Sequence, residues 1–254
     1  MDIKETLQTI SVPNHQRRNI ILDVLHQNDI HYQLETLNPK EYTNIVLHND
    51  MYINPNMKIL LSAHYDAVPK SHGANDNGAA VAMLLKIAEY AKTHISYCPI
   101  DIVLFDREET GFVGSYEYLR MHLREHAKQP IFFINCDVIG CGDGMVIVKH
   151  DNNRYYPTAS KVLTKDFINK YNITEYRQFP PSDAINLSRA GRLNGIEISV
   201  FPQSDINNQA SSAVFQYMHN RKYDDIAFIN YDMINHVYES LIELLFVPEV
   251  SWKR

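Results

Sequence analysis

The stretch KILLSAHYDAVPKSHGANDNGAAVAMLLKIAEY, from Lys58 to Tyr90, decides the fold expected for this chain. Its first six residues are an apolar run that predicts a buried β-strand, and the Ala- and Leu-rich segment Asn77–Ala91 predicts a helix. His64 and Asp66 follow the strand, and a loop rich in Gly, Asn and Asp carries Asp76. A strand followed by such a helix is the βα unit of an α/β sheet, whose carboxyl edge often holds a metal site.

The rest of the chain alternates predicted strands with predicted helices. Strands are predicted at Ile30–Leu37, Asn44–His48, Lys58–Ala63, Ile100–Phe105, Ile131–Asn135, Met145–Lys149, Thr174–Gln178 and Ile196–Phe201. Helices are predicted at Glu5–Ile10, Pro13–Gln27, Asn77–Ala91, Ser115–His126, Ala159–Tyr171 and Tyr231–Phe246, with a short helix from Ser182. This alternation predicts an α/β fold with three αβα layers and a mixed, mostly parallel central sheet. No repeat or linker divides the chain, so residues 1–254 are expected to form a single compact domain.

Composition places the chain among soluble globular proteins, with 45% apolar and 21% charged residues. The formal net charge of −6 comes without any basic block, which argues against a nucleic-acid partner. No uncharged apolar window of about 18 residues and no apolar signal core occur, so no membrane partner is expected and the protein is expected in the cytoplasm. Its three cysteines, Cys98, Cys136 and Cys141, are then expected to be reduced thiols.

Three successive predicted strands end in side chains that can bind a metal or transfer a proton. His64 and Asp66 follow the first strand, Glu108 and Glu109 the second, and Asp137 the third. Parallel strands bring their carboxyl ends to one edge of a sheet, so a single site would explain all of these residues. A histidine and several carboxylates without a thiolate suit a zinc-like or manganese-like ion. A carboxylate shared by two ions suits a two-metal hydrolytic site.

Each of these residues also has a structural explanation of its own. Asp76 could cap the helix that follows it, and Glu108 and Glu109 could be acidic residues that favour the dipole of the next helix. His64 could be a histidine at the boundary of the core, and the other carboxylates could be ordinary loop residues. Independent explanations at every position are less economical than one metal site.

Three runs of sequence together resemble a known family. They are HYDAVPKSHGANDNGAAVAMLL from His64, FDREETGFVGS from Phe105 and FFINCDVIG from Phe132. These runs are similar to the di-zinc aminopeptidases of the leucyl aminopeptidase and aminopeptidase Y type, a zinc exopeptidase family that also contains glutaminyl cyclases. The similarity is close from Lys58 to Gly140 and looser elsewhere. It implies the three-layer fold of the zinc exopeptidases.

The resemblance implies a set of metal ligands. His64, Asp76 and Asp137 would hold one metal, and Asp76 would bridge to a second metal that Glu109 and a late histidine also hold. The two divalent ions are expected to be Zn²⁺, with Co²⁺ or Mn²⁺ as alternatives, because such ligands accept all three.

The resemblance also assigns roles in catalysis. Glu108 would be the general base that takes a proton from the attacking water and later passes it to the leaving amine. Asp66 would hold the His64 ring by a hydrogen bond. The family's cis peptide bond after the bridging aspartate would here join Asp76 to Asn77.

Two histidines in the C-terminal third remain for the last ligand. His236 lies inside the last predicted helix and is expected on its surface. His219, in QYMHNRKYDD, resembles the family's His-Thr-x-x-Asp segment and is taken as the ligand. Asn220 stands where Thr is usual, and the acidic partner, Asp224 or Asp225, is displaced.

Other motifs compete with or extend this site. HLREH, from His122 to His126, satisfies the H-x-x-E-H pattern of inverted zincins. It lies in a charged helix end where basic residues favour the dipole, so it is interpreted as structural. Asp183 is expected to help shape the substrate pocket, and Tyr217 is a candidate hydrogen-bond donor to a tetrahedral oxyanion.

The resemblance implies a metallo-aminopeptidase that acts on peptides with a free N-terminus. A single-zinc glutaminyl cyclase is an alternative, although Met218 precedes His219 where animal-type cyclases place Trp. A silent peptidase-like binding protein is a third, against which the complete ligand set and Glu108 argue. The interval between Asp137 and His219 is too short for an inserted lid or dimerisation domain. A monomer is therefore expected, with a dimer left open.

Overall fold

The computed structural model describes residues 1–36, 42–126, 129–153, 157–206 and 224–247, with the side chains of 123–126 excepted. Its strands are β1 (Gln33–Thr36), β2 (Thr43–Asn49), β3 (Lys58–His64), β4 (Ile100–Phe105), β5 (Ile131–Cys136), β6 (Gly144–His150), β7 (Thr174–Tyr176) and β8 (Asn194–Phe201). Its helices are α1 (Ile3–Ile10), α2 (Asn14–Gln27), α3 (Ala79–Ala91), α4 (Val113–His126), α5 (Ala159–Val162), α6 (Lys165–Lys170), α7 (Asp183–Ile185) and α8 (Tyr231–Phe246).

The strands within these residues form one sheet in the order β1-β2-β4-β3-β5-β8-β6-β7. The neighbours β4, β3, β5 and β8 run parallel, as do β6 and β7. The remaining pairs, β1 with β2, β2 with β4 and β6 with β8, are antiparallel. The predicted mixed and mostly parallel sheet is therefore confirmed, and four strands deliver their carboxyl ends to one edge.

Apolar side chains cover both faces of the sheet. Helices α1, α2, α3 and α8 pack on one face around residues such as Leu7, Ile21 and Leu241. Helix α4 packs on the other face with Tyr118 and Leu119. Every residue of β4 and β5 is buried, as expected for strands that are covered on both sides. The three-layer αβα architecture is confirmed.

The predicted helix Ala159–Tyr171 is wrong in one respect, because the structure divides it into α5 and α6. Leu163 has an extended backbone, and Thr164 starts the second helix. The Thr164 hydroxyl accepts a hydrogen bond from the Phe167 N–H at 3.2 Å. A threonine that caps a new first turn competes with continuation of the preceding helix.

The three cysteines are free thiols in the structure, as expected, and Cys98 and Cys136 are buried. Of the helices that the structure describes, none combines the length and apolar character needed to cross a membrane.

Candidate metal centre

The predicted site residues meet at the carboxyl edge of the parallel strands. Metal-capable atoms of His64, Asp76 and Asp137 lie within 4.8 Å of one another, and so do those of His64, Glu108 and Glu109. His219 and Tyr217 lie outside the described residues. The fold thus brings together the residues that follow β3, β4 and β5, and it adds Asp76 from the loop before α3.

His64 ends β3 and is 2% exposed. Its Nδ1 lies 3.1 Å from the carbonyl oxygen of Asp66, which can only accept, so Nδ1 donates in this contact. Its Nε2 lies 3.0 Å from Asp76 Oδ1 and 3.5 Å from Asp137 Oδ1. A hydrogen bond that fixes one ring nitrogen leaves the other aimed at a metal, so Nε2 is the candidate ligand atom.

The carboxylate of Asp66 binds the backbone of the glutamate loop. Its two oxygens accept hydrogen bonds from the N–H groups of Glu108 at 3.0 Å and Glu109 at 3.2 Å. Its Oδ1 lies 3.4 Å from His64 Nδ1. The imidazole is therefore held by the Asp66 carbonyl more closely than by the carboxylate that the resemblance assigned to it. The carboxylate instead joins the loops after β3 and β4.

Asp76 lies in a distorted turn, Ala74–Gly78, where its φ of −116° and ψ of 86° are not helical. The peptide bond from Asp76 to Asn77 is cis, as the resemblance implied. Helix α3 starts after Gly78, and no side chain caps its first turn by a hydrogen bond. The interpretation of Asp76 as a hydrogen-bonding helix cap is therefore wrong, since its carboxylate contacts His64 instead.

Two asparagines join the Asp76 turn to the loop that carries Asp137. Asn75 Oδ1 accepts the N–H of Gly140 at 2.7 Å. The side-chain amide of Asn77 donates a hydrogen bond to the Cys136 carbonyl at 2.9 Å and accepts one from the Val138 N–H at 3.3 Å. These two residues lie on either side of Asp137. These bonds flank both aspartates and so fix the distance between their carboxylates.

Asp224 connects the segment after His219 to the same turn. It is 1% exposed, and its Oδ1 accepts the N–H of Asp76 at 3.2 Å and that of the preceding residue at 2.6 Å. Asp225, by contrast, bonds the N–H of Ala227 two residues ahead. Of the two possible acidic partners, Asp224 is thus the one that supports the candidate bridging aspartate.

Arg17 lies behind this turn, and the sequence patterns did not single it out. Its side chain is fully buried on α2. The guanidinium donates hydrogen bonds to the carbonyls of Ile10 at 3.2 Å, Tyr65 at 3.1 Å, Gly73 at 2.9 Å and His72. Arg17 shares the buried face of α2 with Ile21, Val24 and Leu25, so its helical spacing was the available signal.

Replacing Arg17 with leucine is expected to lower the free energy of unfolding by about 3–5 kcal/mol, because four carbonyls, three of them in buried hydrogen bonds, lose their donor. The midpoint of thermal unfolding should then fall by about 10 °C for a protein of this size. Arg120→Leu is the control, since its side chain is 59% exposed and its ion-pair partner within the described residues is Glu117, at 2.8 Å. Equal midpoints for the two variants in calorimetry would contradict the role of Arg17.

The carboxyl groups at the site have raised pKa values. Burial is the largest cause, and it raises the pKa of Glu108 to about 10, Glu109 to about 8, Asp183 to about 7 and Asp137 to about 6. Neighbouring carboxylates add to each shift, whereas His64 opposes it. The pKa of His64 is lowered by burial and raised more strongly by Glu108 and the aspartates around it.

These donors fit a zinc ion. Asp137 Oδ1 is buried and accepts no hydrogen bond from the described residues, and it faces His64. A buried, unsatisfied carboxylate oxygen is costly unless a donor or cation completes it. An imidazole nitrogen with carboxylate oxygens and no thiolate is a donor set that zinc accepts.

When excess chelator keeps the protein free of metal, its free energy of unfolding is expected to fall as pH rises from about 5 to 8. Because the site carboxyls and His64 have raised pKa values, the folded chain binds more protons than the unfolded chain, and stability falls with pH. The midpoint of unfolding in excess chelator should drop by on the order of 10 °C. Added zinc should reverse the trend, since bound metal favours the deprotonated ligands. A midpoint that rises with pH in chelator would contradict these shifts.

The competing histidines have other contacts. His122 Nε2 lies 2.6 Å from Glu35 Oε1 on β1, and the side chain of His126, the other histidine of HLREH, lies outside the described part of the chain. His236 Nε2 lies 2.9 Å from the Tyr171 carbonyl, which accepts its hydrogen. Both contacts are those of structural histidines.

A cavity of about 260 Å³ opens beside the cluster. Asp76, Glu108 and Asp137 form one side of it. The other lining residues are Val138, Phe179, Pro180, Pro181, Glu197, Ser199 and Phe201. Asp183, expected to shape the pocket, is 1% exposed and is not among these lining residues. Its charge acts instead on the neighbouring Glu108.

Known proteins share parts of this sequence. The model of peptidase family M28 matches residues 44–245. A vacuolar membrane protease of Meyerozyma guilliermondii is 25% identical over 198 residues, which cover 73% of this chain and 18% of that protein. Aminopeptidase YwaD of Bacillus subtilis is 34% identical over 111 residues, which cover 41% of this chain and 24% of that protein. The matches thus span about a fifth of the length of these relatives.

Two solved structures share the fold. BSAP, a zinc aminopeptidase from Bacillus subtilis, aligns with a TM-score of 0.64 and 21% identity over 80% of this chain and 50% of that chain. A Bacteroides thetaiotaomicron glutaminyl cyclase bound to N-acetylhistamine aligns with a TM-score of 0.68 and 18% identity over 96% of this chain and 95% of that chain. The expected zinc-exopeptidase fold is confirmed.

The expectation of a cytoplasmic protein is contradicted by the fungal relatives, which are named vacuolar membrane proteases. That expectation rested on the lack of an apolar segment within this sequence. Signals and anchors are segments separate from a catalytic fold, so the residues of such a fold carry no information on location.

The family match covers most of the chain, from β2 to α8, and it contains every candidate ligand named above. The sheet topology and the cluster of a histidine with four carboxylates at its edge agree with that match. This protein belongs to peptidase family M28.

Proposed function

We propose that this protein is a zinc-dependent aminopeptidase that removes the N-terminal residue of peptides. The observation that carries the proposal is the convergence of His64, Asp76 and Asp137 within 4.8 Å, beside Glu108 and Glu109. Membership in peptidase family M28 and the likeness to aminopeptidase YwaD support hydrolysis of a peptide bond.

In this proposal two zinc ions bind at the cluster. His64, Asp76 and Asp137 would hold one, and Asp76, Glu109 and His219 would hold the other. When bound, the ions supply a Lewis acid for the scissile carbonyl and lower the pKa of water at the site. Asp66 and Asp224 position these ligands, because they accept the backbone N–H groups of Glu109 and Asp76.

Glu108 moves the proton. Its side chain lines the cavity beside Asp76 and Asp137. It would take a proton from the attacking water and deliver it to the nitrogen of the leaving amine, as a general base and then a general acid. Its backbone N–H is bound to Asp66 at 3.0 Å, so the position of its main chain does not depend on its own carboxylate.

The proposed substrate is a peptide with a free N-terminus, whose first residue occupies the cavity of about 260 Å³. A cavity of that size beside the catalytic groups suits one amino-acid side chain. We propose that the protein acts as a monomer and without a nucleic acid.

A glutaminyl cyclase is the second candidate. The observation in its favour is the fold that this chain shares with the bacterial cyclase, at a TM-score of 0.68. A one-zinc cyclase and a two-zinc peptidase differ in both reaction and metal content.

The experiment that separates them uses the zinc-loaded protein. An aminopeptidase is expected to hydrolyse aminoacyl p-nitroanilides and to contain about two zinc ions by elemental analysis. Cyclisation of a Gln-peptide with one zinc and no hydrolysis would end the peptidase proposal. If a correctly folded and metal-loaded protein catalyses neither reaction, that result would favour a silent binding protein.

A further inference from the structure

Strand β8 places a carboxylate, Glu197, in the wall of the cavity beside the metal centre. Glu197, Ser199 and Phe201 alternate along the strand, so they share one face, and all three line the cavity. The Ser199 hydroxyl donates a hydrogen bond to the Asp137 carbonyl at 2.6 Å. Glu197 is two residues from Ser199 and therefore lies roughly 7 Å farther along the strand from the loop of Asp137.

Glu197 is buried, but within the described residues only one of its two carboxylate oxygens accepts a hydrogen bond. It is 4% exposed, and Ser182 Oγ donates a hydrogen bond to its Oε1. In the part of the chain that the structure describes, the one basic group in ion-pair range is His150, whose Nε2 lies 3.8 Å from Oε2, which is longer than a hydrogen bond. The carboxylate of Asp137 is a neighbour of like charge. Oε2 thus accepts no hydrogen bond from the described residues, and a cationic ligand in the cavity would supply one.

The other cavity walls are largely apolar. Val138, Phe179 and Phe201 belong to one apolar cluster and line the cavity together with two prolines. Apolar walls leading to a buried carboxylate match a side chain with an aliphatic stem and a cationic end. Lysine and arginine have that construction.

We propose that this cavity binds the side chain of the substrate's N-terminal residue and that Glu197 selects lysine and arginine there. The inference rests on the proposed aminopeptidase function. In this proposal Glu197 determines specificity, because it contacts the side chain of the substrate. It lies farther along β8, away from the residues assigned to the reaction.

The test compares lysine p-nitroanilide with norleucine p-nitroanilide, which has the same carbon chain without the ammonium group. The unmodified protein is expected to prefer lysine by about 10- to 100-fold in kcat/KM, the value of one hydrogen-bonded charge. Glu197→Gln should abolish that preference, because it should lower the lysine kcat/KM far more than the norleucine kcat/KM. Glu175→Gln is the charge-matched control, since Glu175 is exposed on β7 and pairs with Lys149 at 2.7 Å.

Two kinetic results would overturn the inference. One is an unmodified protein that hydrolyses norleucine p-nitroanilide as well as the lysine compound. The other is a folded Glu197→Gln variant that loses activity equally on both substrates. That result would place the α-ammonium group shared by all substrates, or a structural role, at Glu197.

Calorimetry with lysinol and norleucinol separates this inference from the peptidase proposal, because these amino alcohols have no scissile bond. Tighter binding of lysinol, lost in Glu197→Gln, is expected. Tighter lysinol binding without hydrolysis of any p-nitroanilide would overturn the peptidase proposal and leave the Glu197 subsite standing. Equal affinities in an active protein would overturn the subsite and leave the peptidase standing.

Discussion

Replacing Glu108 with glutamine is expected to lower kcat/KM for aminoacyl p-nitroanilides by about 10²- to 10⁴-fold, with zinc content unchanged. Glutamine has nearly the same shape, but it neither takes a proton from water nor passes one to the leaving amine. The fold should tolerate the change, because the two side chains have nearly the same size and the Glu108 main chain is held by its N–H bond to Asp66 at 3.0 Å. Steady-state kinetics and elemental analysis of the same preparation measure both quantities.

The neighbouring variant Glu109→Gln is the matched comparison. Glu109 is assigned to the second metal, so this variant should lose zinc together with activity, whereas Glu108→Gln should lose activity alone. His122→Gln is the control for a change outside the site, since His122 pairs with Glu35 at 2.6 Å. Turnover within about tenfold of the unmodified protein in Glu108→Gln would refute its role in proton transfer.

Replacing Asp76 with asparagine is expected to remove both zinc ions and all measurable hydrolysis. Its Oδ1 lies 3.0 Å from His64 Nε2, in the group that also contains Asp137, and its charge is the largest carboxylate contribution to the raised pKa of Glu109. One carboxylate thus faces both halves of the ligand set. Isothermal titration with zinc, followed by elemental analysis after dialysis, gives the number of ions retained.

Variants of two other aspartates serve as comparisons for Asp76→Asn. Asp137→Asn should weaken one metal site and leave the other, because Asp137 is assigned to a single ion. Asp29→Asn should change neither, since the Asp29 side chain is 89% exposed on the surface. If Asp76 only favoured the dipole of α3, its replacement would cost about 0.3–1 kcal/mol of stability and leave two ions bound. That outcome would reject the bridging role.

Much of this site was predictable because its residues directly follow apolar strands. Ile100–Phe105 and Tyr231–Phe246 have the predicted bounds, and His64, Glu108 and Asp137 lie where the parallel strands end. A continuous apolar run specifies a strand covered on both faces, and parallel strands place the residues after their last positions at a common edge. Residue type and position relative to the strand were therefore sufficient to place these groups.

The supporting contacts were not predictable in this way. Asp224 bonds the backbone of Asp76 across 148 positions of sequence, and Arg17 reaches the Tyr65 carbonyl across 48 positions. No periodicity within one element encodes such a contact, because the partner belongs to a different part of the chain. The role of Asp66 shows the same limit, since its carboxylate binds the main chain of Glu108, 42 positions away.

The sequence by itself determined the αβα fold and the chemical types collected at one edge of the sheet. Only the tertiary structure decided which atoms face one another and which residues line the cavity. The physical reason is strand order: β8 inserts between β5 and β6 rather than at the end of the sheet. That insertion brings Ser199 to the Asp137 carbonyl, 62 positions away, and buries Glu197 beside the metal centre.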